Sequence, residues 1–426
     1  MARPVEVGAD DLDLSRWLRP GDGVVFGQHC AEPVPLVDAL LEAGRAVDGL
    51  RAFCGLTWRD VFADDDDGLE LWSYGALGRL GRAMARRPVR VVPAHFSSLP
   101  ALFAARALPG DVALVQVAPP DEHGRYSLGV GVDYLGDAVR HARVVIAEVN
   151  ERMPRTTGTW LEADDVDVVV PTSRPLLEAP VARESEIDAR IAEHIAGLIS
   201  DGDTLQVGVG ALPEAILRRL TGARDLAIHS GMICDPVVDL VERGVVTGAR
   251  KRADPGLVVT GAALGSQRLF DFVDASDTIH FRPVSYTHRA DVLATVGPLV
   301  AINGAVEVDL TGQVNAERAG DRWVGAVGGQ VDFLRAAMAT GGTGVVALPS
   351  VVASTGTSRI VAELSGPVTT ARSDVDVVVT EHGVARVRGL GLEERAAALI
   401  AIAAPEHRED LERAQRGGAG PIVSRR

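Results

Sequence analysis

The chain has 426 residues, 46% of them hydrophobic, 24% charged and 4% aromatic, enough apolar mass for more than one core. Its net charge of −15 excludes a nucleic-acid surface, which needs clustered cations against the phosphates, and Lys251 is its only lysine. No apolar run approaches the ~18 residues of a membrane span, the first residues carry no secretion signal, and Cys30, Cys54 and Cys234 lie far apart, so a reducing cytoplasm is expected.

The first predicted element is a strand running from Gly21-Asp22 to Gly27, followed by Pro33 and a helix over Pro35–Ala43. Strands are predicted at Val89–Val92, Val112–Val117, Val144–Val149 and Val166–Val170. Several are apolar throughout, the pattern of parallel strands buried on both faces. The three prolines of Pro171–Pro180 read as a linker. A helix over Glu184–Ile199 follows, then Gly202-Asp203, a strand ending at Gly208, and a helix from Pro213 to Leu220. Here Gly-Asp and the strand-ending glycine recur at the spacing of Gly21-Asp22 and Gly27, which predicts a duplicated architecture. Further helices fit Pro236–Arg243 and Leu392–Ala403, and further strands Gly344–Leu348 and Val375–Thr380. Strand–helix alternation of this kind means α/β layers with mostly parallel sheets. The expected division is residues 1–178, a linker at 179–183, and residues 184–426, with a ligand cleft between the halves.

Two glycine-rich segments offer backbone N–H groups to an anion or carbonyl. Val207-Gly208-Val209-Gly210 closes a strand before a helix, though Pro213 occupies the third glycine position of a dinucleotide fingerprint. Val324-Gly325-Ala326-Val327-Gly328-Gly329-Gln330 precedes another helical segment. Each also reads as a plain tight turn. The loop Gln28-His29-Cys30-Ala31-Glu32-Pro33 groups a histidine, a thiol and a carboxylate, any of which also serves as a hydrogen-bonded loop residue. In Ile228-His229-Ser230-Gly231-Met232 a serine neighbours a histidine, but no GxSxG is present and no metal-ligand spacing appears anywhere.

These stretches resemble the acetyl-CoA hydrolase/transferase family of class I CoA-transferases, which includes the 4-hydroxybutyrate CoA-transferases. The resemblance runs nearly end to end. It is carried by Gln116–Gly124, Ile146–Asn150, Met153–Thr156, Gln206–Pro213 and Asp225–Ser230, then by Ala263–Ser266, Asn303–Gly312, Gly325–Phe333, Ala347–Ser350, Thr369–Asp374 and Thr380–Gly383. It implies tandem CoA-transferase-type α/β domains, usually a homodimer, with the site between the domains. Coenzyme A or an acyl-CoA would enter as substrate beside a small-molecule acceptor, with no permanently bound cofactor, metal, nucleic acid or membrane. By resemblance, Val207–Gly210 and Gly328–Gln330 contact CoA and the thioester, Asn303 hydrogen-bonds near the reacting carboxylate, and His29 and Glu32 face the same cleft.

One position departs from the pattern. Family members read Ile-His-Ser/Thr-Glu-Met where this chain reads Ile228-His229-Ser230-Gly231-Met232, and that glutamate attacks the acyl-CoA. Losing a covalent nucleophile costs about six orders of magnitude in kcat in a well-studied protease, roughly 8 kcal/mol. Three expectations follow. The chain hydrolyses acyl-CoA or passes the acyl group directly to an acceptor, with Glu32, His29 or His229 as base. Alternatively, Glu32, Asp235 or Glu381 replaces the missing carboxylate in CoA transfer between acids, or the chain binds CoA without turnover.

Overall fold

The computed structural model describes residues 4–62, 67–75 and 77–418. Residues of the first half build an eight-stranded, all-parallel sheet. Its spatial order is Val5–Glu6, Val168–Thr172, Val144–Asn150, Val112–Val117, Gly23–Phe26, Arg51–Phe53, Glu70–Ser73 and Val89–Val91. Residues of the second half build a six-stranded sheet: Ala227–Ile228, Thr204–Gln206, Leu299–Gly304, Thr343–Ala347, Val377–Thr380 and Gly383–Arg386. Only its last pair is antiparallel. No described helix is long and apolar enough to cross a membrane.

The uniformly apolar strands are explained by where their two faces go. Val24 and Phe26 pack into an outer layer of the first half, whereas Val25 between them joins a central core. In the second sheet, Val346 and Val378 face an outer layer, whereas Val345, Ala347, Val377 and Val379 face that same central core. Alternate residues thus serve different layers, and both faces of these strands are buried. The central core joins the inner faces of both sheets.

The repeat is present in three dimensions. Gly21 and Gly202 both turn with positive φ (81° and 89°), a region open to glycine. Asp22 accepts from the Arg19 N–H at 2.8 Å, and Asp203 accepts from the Ser200 N–H at 2.7 Å, so each carboxylate locks the turn that launches its strand. The helices that follow are Val34–Gly44 and Ala211–Arg218. The second begins two residues before Pro213, whose missing N–H lies in the first turn, where no intrahelical acceptor exists. Pro171 and Thr172 extend a strand rather than opening the linker. Their outer edge is free, because Val5–Glu6 pairs only with Val168 and Val169, so proline there breaks no ladder.

One segment ties the halves together. The N–H groups of Val132 and Asp133 both donate to Gly261 O at 3.0 Å, and the Ala263 N–H donates to Val130 O at 2.9 Å. This crossing delivers Asp133 to the boundary between the sheets.

Candidate active site

A cavity of about 300 Å3 lies where the two halves meet. Gln28, His29 and Asp133 line it from the first half, and Val207, Gly208, Gly231, His288, Asn303 and residues 325–330 from the second. Asp133 is the only carboxylate, and no lysine or arginine stands among the described residues that line it.

His29 follows a buried strand in the left-handed region (φ 49°), and Asp133 also has positive φ (20°); such non-glycine backbone is uncommon and concentrates at functional sites. The His29 Nδ1 accepts from the Cys30 N–H at 2.8 Å, which leaves the proton on Nε2. That proton is donated to Asp133 Oδ2 at 3.0 Å. Gln28 Nε2 donates to the same oxygen at 2.9 Å, and Leu135 N–H donates to Oδ1 at 3.2 Å. Gln28 Oε1 in turn accepts from the Leu56 N–H and the Tyr74 hydroxyl. The network is satisfied internally, so His29 presents no free lone pair.

On the opposite side, His288 sits just after the short helix Val284–Thr287. Its ring packs between Phe96 and Phe333, with centroids 5.1 and 4.7 Å away. Nδ1 lies 2.8 Å from Thr287 Oγ1. The Thr287 hydroxyl also lies 3.4 Å from Pro283 O; with its proton directed there it accepts an Nδ1–H, and the lone pair then stands on Nε2. Among the described residues nothing hydrogen-bonds to that Nε2. A Cβ on Gly231 would lie 2.9 Å from Cε1 and 3.2 Å from Nε2, and one on Gly329 would lie 2.6 Å from Nε2. A side chain at either glycine would crowd this ring. Burial, with His229 adding and Asp133 opposing, pulls the His288 pKa down to about 3, so the imidazole is neutral at physiological pH. The same ring borders a second cavity of about 560 Å3, formed with Ser97, Ser285 and Asp332.

The glycine-rich segments close the remaining walls. The Gly208 and Val209 N–H groups have no backbone acceptor among the described residues. Asn303 Nδ2 donates to Gln206 Oε1 at 3.1 Å, which orients its amide. The 325–330 turn is pinned to the first half by the Phe96 N–H donating to Gly328 O at 2.9 Å. Ser97 adds N–H and hydroxyl donors to Asp332 at 3.1 and 2.7 Å. Gln330 Nε2 donates to Thr370 Oγ1 at 3.1 Å, at the start of the helix Gln330–Ala339.

Profiles of the acetyl-CoA hydrolase/transferase N-terminal and C-terminal domains match residues 14–176 and 265–415. A 4-hydroxybutyrate coenzyme A transferase from Clostridium kluyveri is 39% identical over 395 residues, 91% of this chain and 92% of that protein. The chain belongs to the acetyl-CoA hydrolase/transferase family. Two solved structures place the family fold on the whole chain. RipA from Yersinia pestis superposes with a TM-score of 0.90 at 33% identity, covering 97% of each chain. The 4-hydroxybutyrate CoA-transferase from Porphyromonas gingivalis gives 0.80 at 36%, covering 97% and 98%. An acetyl-CoA hydrolase/transferase family member is an enzyme of the hydrolase or CoA-transferase kind, which sets the chemistry against which each residue is placed.

Of the residues singled out in the sequence, His29, Val207, Gly208, Gly231, Asn303, Gly328, Gly329 and Gln330 line the cavity. Val209 and Gly210 stand outside it, at the turn into the helix Ala211–Arg218. Glu32 is fully buried away from it, its carboxylate accepting from Thr57 Oγ1 at 2.9 Å and from Arg59 at 3.1 Å. Burial pushes this carboxyl's pKa up against the pull of Arg59. His229 is buried behind the wall, its Nε2 donating to Thr287 O at 3.1 Å while Nδ1 has no partner. Asp235 is held by Ser266, and Glu381 by Ser350. Cys30 is buried, which raises its thiol pKa to about 11. Asp133 and His288 were not legible as site residues. The one signal in the sequence was indirect: a glycine at position 231 leaves room that another side chain has to fill.

Proposed function

We propose that this protein processes acyl-CoA thioesters without a glutamyl intermediate, the thioester carbonyl being attacked directly by water or by an acceptor. The observation that carries this reading is Gly231: it lines the cavity without a side chain, and the His288 ring takes the adjoining room. Family resemblance puts the attacking glutamate of the CoA-transferases at this position. The remaining carboxylates of the neighbourhood are engaged by partners, and Asp133 accepts from Gln28, His29 and Leu135. Direct attack places negative charge on the carbonyl oxygen, and the Gly208 N–H, on the cavity wall and without a backbone acceptor among the described residues, is a donor for it. Coenzyme A enters as a substrate, held by the glycine-rich segments, in a cytoplasmic homodimer.

Mass spectrometry of the products from a panel of acyl-CoAs, with and without acceptors, tests this. Free CoA with a free acid, an ester or an amide is expected. Efficient movement of CoA from succinyl-CoA onto acetate would overturn it in favour of a substitute nucleophile.

A further inference from the structure

Five groups near the cavity are basic in principle, and their surroundings separate them; the first, the Asp133 carboxylate, accepts from His29, Gln28 and Leu135. His29 has both nitrogens engaged, by Cys30 N–H and Asp133. His229 is sealed from the cavity, and Glu32 is tied to Thr57 and Arg59. His288 alone keeps an unengaged nitrogen beside two cavity-lining glycines. The charges around it point the same way. With no lysine or arginine on the described cavity wall and the Asp133 carboxylate already there, a carboxylate acceptor meets no countercharge, whereas a neutral acceptor meets no penalty.

We infer that His288 Nε2 is the general base of this enzyme, and that its acceptor is a neutral O–H or N–H compound, water being the smallest. This rests on direct attack as proposed above. In the step, the acceptor oxygen or nitrogen bonds to the thioester carbon while its proton passes to Nε2. The tetrahedral intermediate then collapses, the carbon–sulfur bond breaks, and the proton returns from Nε2 to the departing sulfur. Products are CoA thiol and an acid, ester or amide, and His288 ends as it began. The Thr287 hydroxyl, 2.8 Å from Nδ1, is a positioning group: in the step it accepts Nδ1–H, which puts the lone pair on Nε2. The Phe96 and Phe333 rings hold the imidazole in the plane that faces Gly231.

The test uses the full chain and the best acyl-CoA from the product panel. His288→Ala is expected to lose about 100-fold or more in kcat, the usual size of a general-base contribution, while CoA affinity by calorimetry stays within threefold. Added imidazole should restore at least tenfold of the lost rate, because the vacated space is ring-sized; a merely structural loss would not respond. His288→Gln serves the same comparison should the alanine variant fold poorly. Water, a simple alcohol, a simple amine and acetate are offered as separate acceptors, so the product tells the sources apart. Wild-type turnover with His288→Ala within threefold of it overturns the base assignment and leaves direct attack standing. Acetate as the one productive acceptor overturns the acceptor class. No turnover by wild type with any pair overturns direct attack itself, and the base with it.

Discussion

Gly231 and His288 are steric complements: a Cβ on the glycine would lie 2.9 Å from the Cε1 of the imidazole. The glycine is not required by its backbone, since its φ is outside the left-handed region. A side chain there would crowd the imidazole. Gly231→Glu should therefore destabilise the fold by about 1–3 kcal/mol, the usual range for overpacking a filled site. In the Gly231→Glu/His288→Ala pair most of that loss should vanish, giving a coupling of about 1 kcal/mol or more in a double-mutant cycle of urea unfolding. Additive losses would show that the two side chains do not compete for the same space.

Glu32 provides a contrast. Its carboxylate is fully buried and held by Thr57 and Arg59, and Arg59 also pairs with Asp38. Glu32→Gln keeps the shape and the Thr57 bond but removes the charge facing Arg59. Stability should fall by about 1–3 kcal/mol, less than for a fully orphaned buried ion because Asp38 remains. Turnover per folded molecule should stay within about threefold, since nothing in a general-base step passes through Glu32. A loss of kcat beyond tenfold at unchanged stability would return Glu32 to the reaction.

The layered fold was legible because both faces of its strands are buried, so Val112–Val117 and Val377–Thr380 read as apolar throughout. The duplication was legible because Asp22 and Asp203 act within three residues of their own turns. The candidate site was legible where its residues are local, as in Val207-Gly208 and the glycine run at 325–330, which line the cavity, whereas Val209 and Gly210 do not. Asp133 and His288 escaped because their surroundings come from distant chain. Asp133 meets His29 across 104 residues, and His288 meets Gly231 only once the sheets are packed. A lone histidine in Tyr286-Thr287-His288 carries no periodic or motif signal of its own.

Acid stability should depend on the two buried imidazoles. Burial lowers the pKa of both His288 and His229 to about 3, with Lys251 adding to the effect on His229. The unfolded chain takes up these protons near pH 6.5, whereas the folded chain resists until about pH 3. Their neutral-state stability is therefore complete above pH 6.5 and is lost as pH falls through the window towards 3. Each histidine contributes a slope of about 1.4 kcal/mol per pH unit within that window. Unfolding of wild type and His288→Gln compared between pH 7.5 and 5 should show a shallower slope for the variant. Equal slopes would mean that His288 is protonated in the fold at pH 5.

Lys251 gives a direct view of opening beside the site. The only lysine in the chain is 3% exposed, and its ammonium donates to Ile228 O at 3.1 Å and Leu257 O at 3.2 Å. Ile228 leads straight into His229, Ser230 and Gly231, so the amine supports the strand end that positions the cavity wall. Burial lowers its pKa to about 8, against the pull of Asp254, so the fold gains stability as pH rises from 8 towards 10.5. Near pH 8 much of the amine is unprotonated, and only its enclosure keeps it from an amine-reactive reagent. Labelling followed by peptide mass spectrometry should mark Lys251 at least about 100-fold more slowly in the native fold than in urea. Native labelling of Lys251 at its rate in urea would show that the 251–257 loop opens freely and does not brace the Gly231 segment.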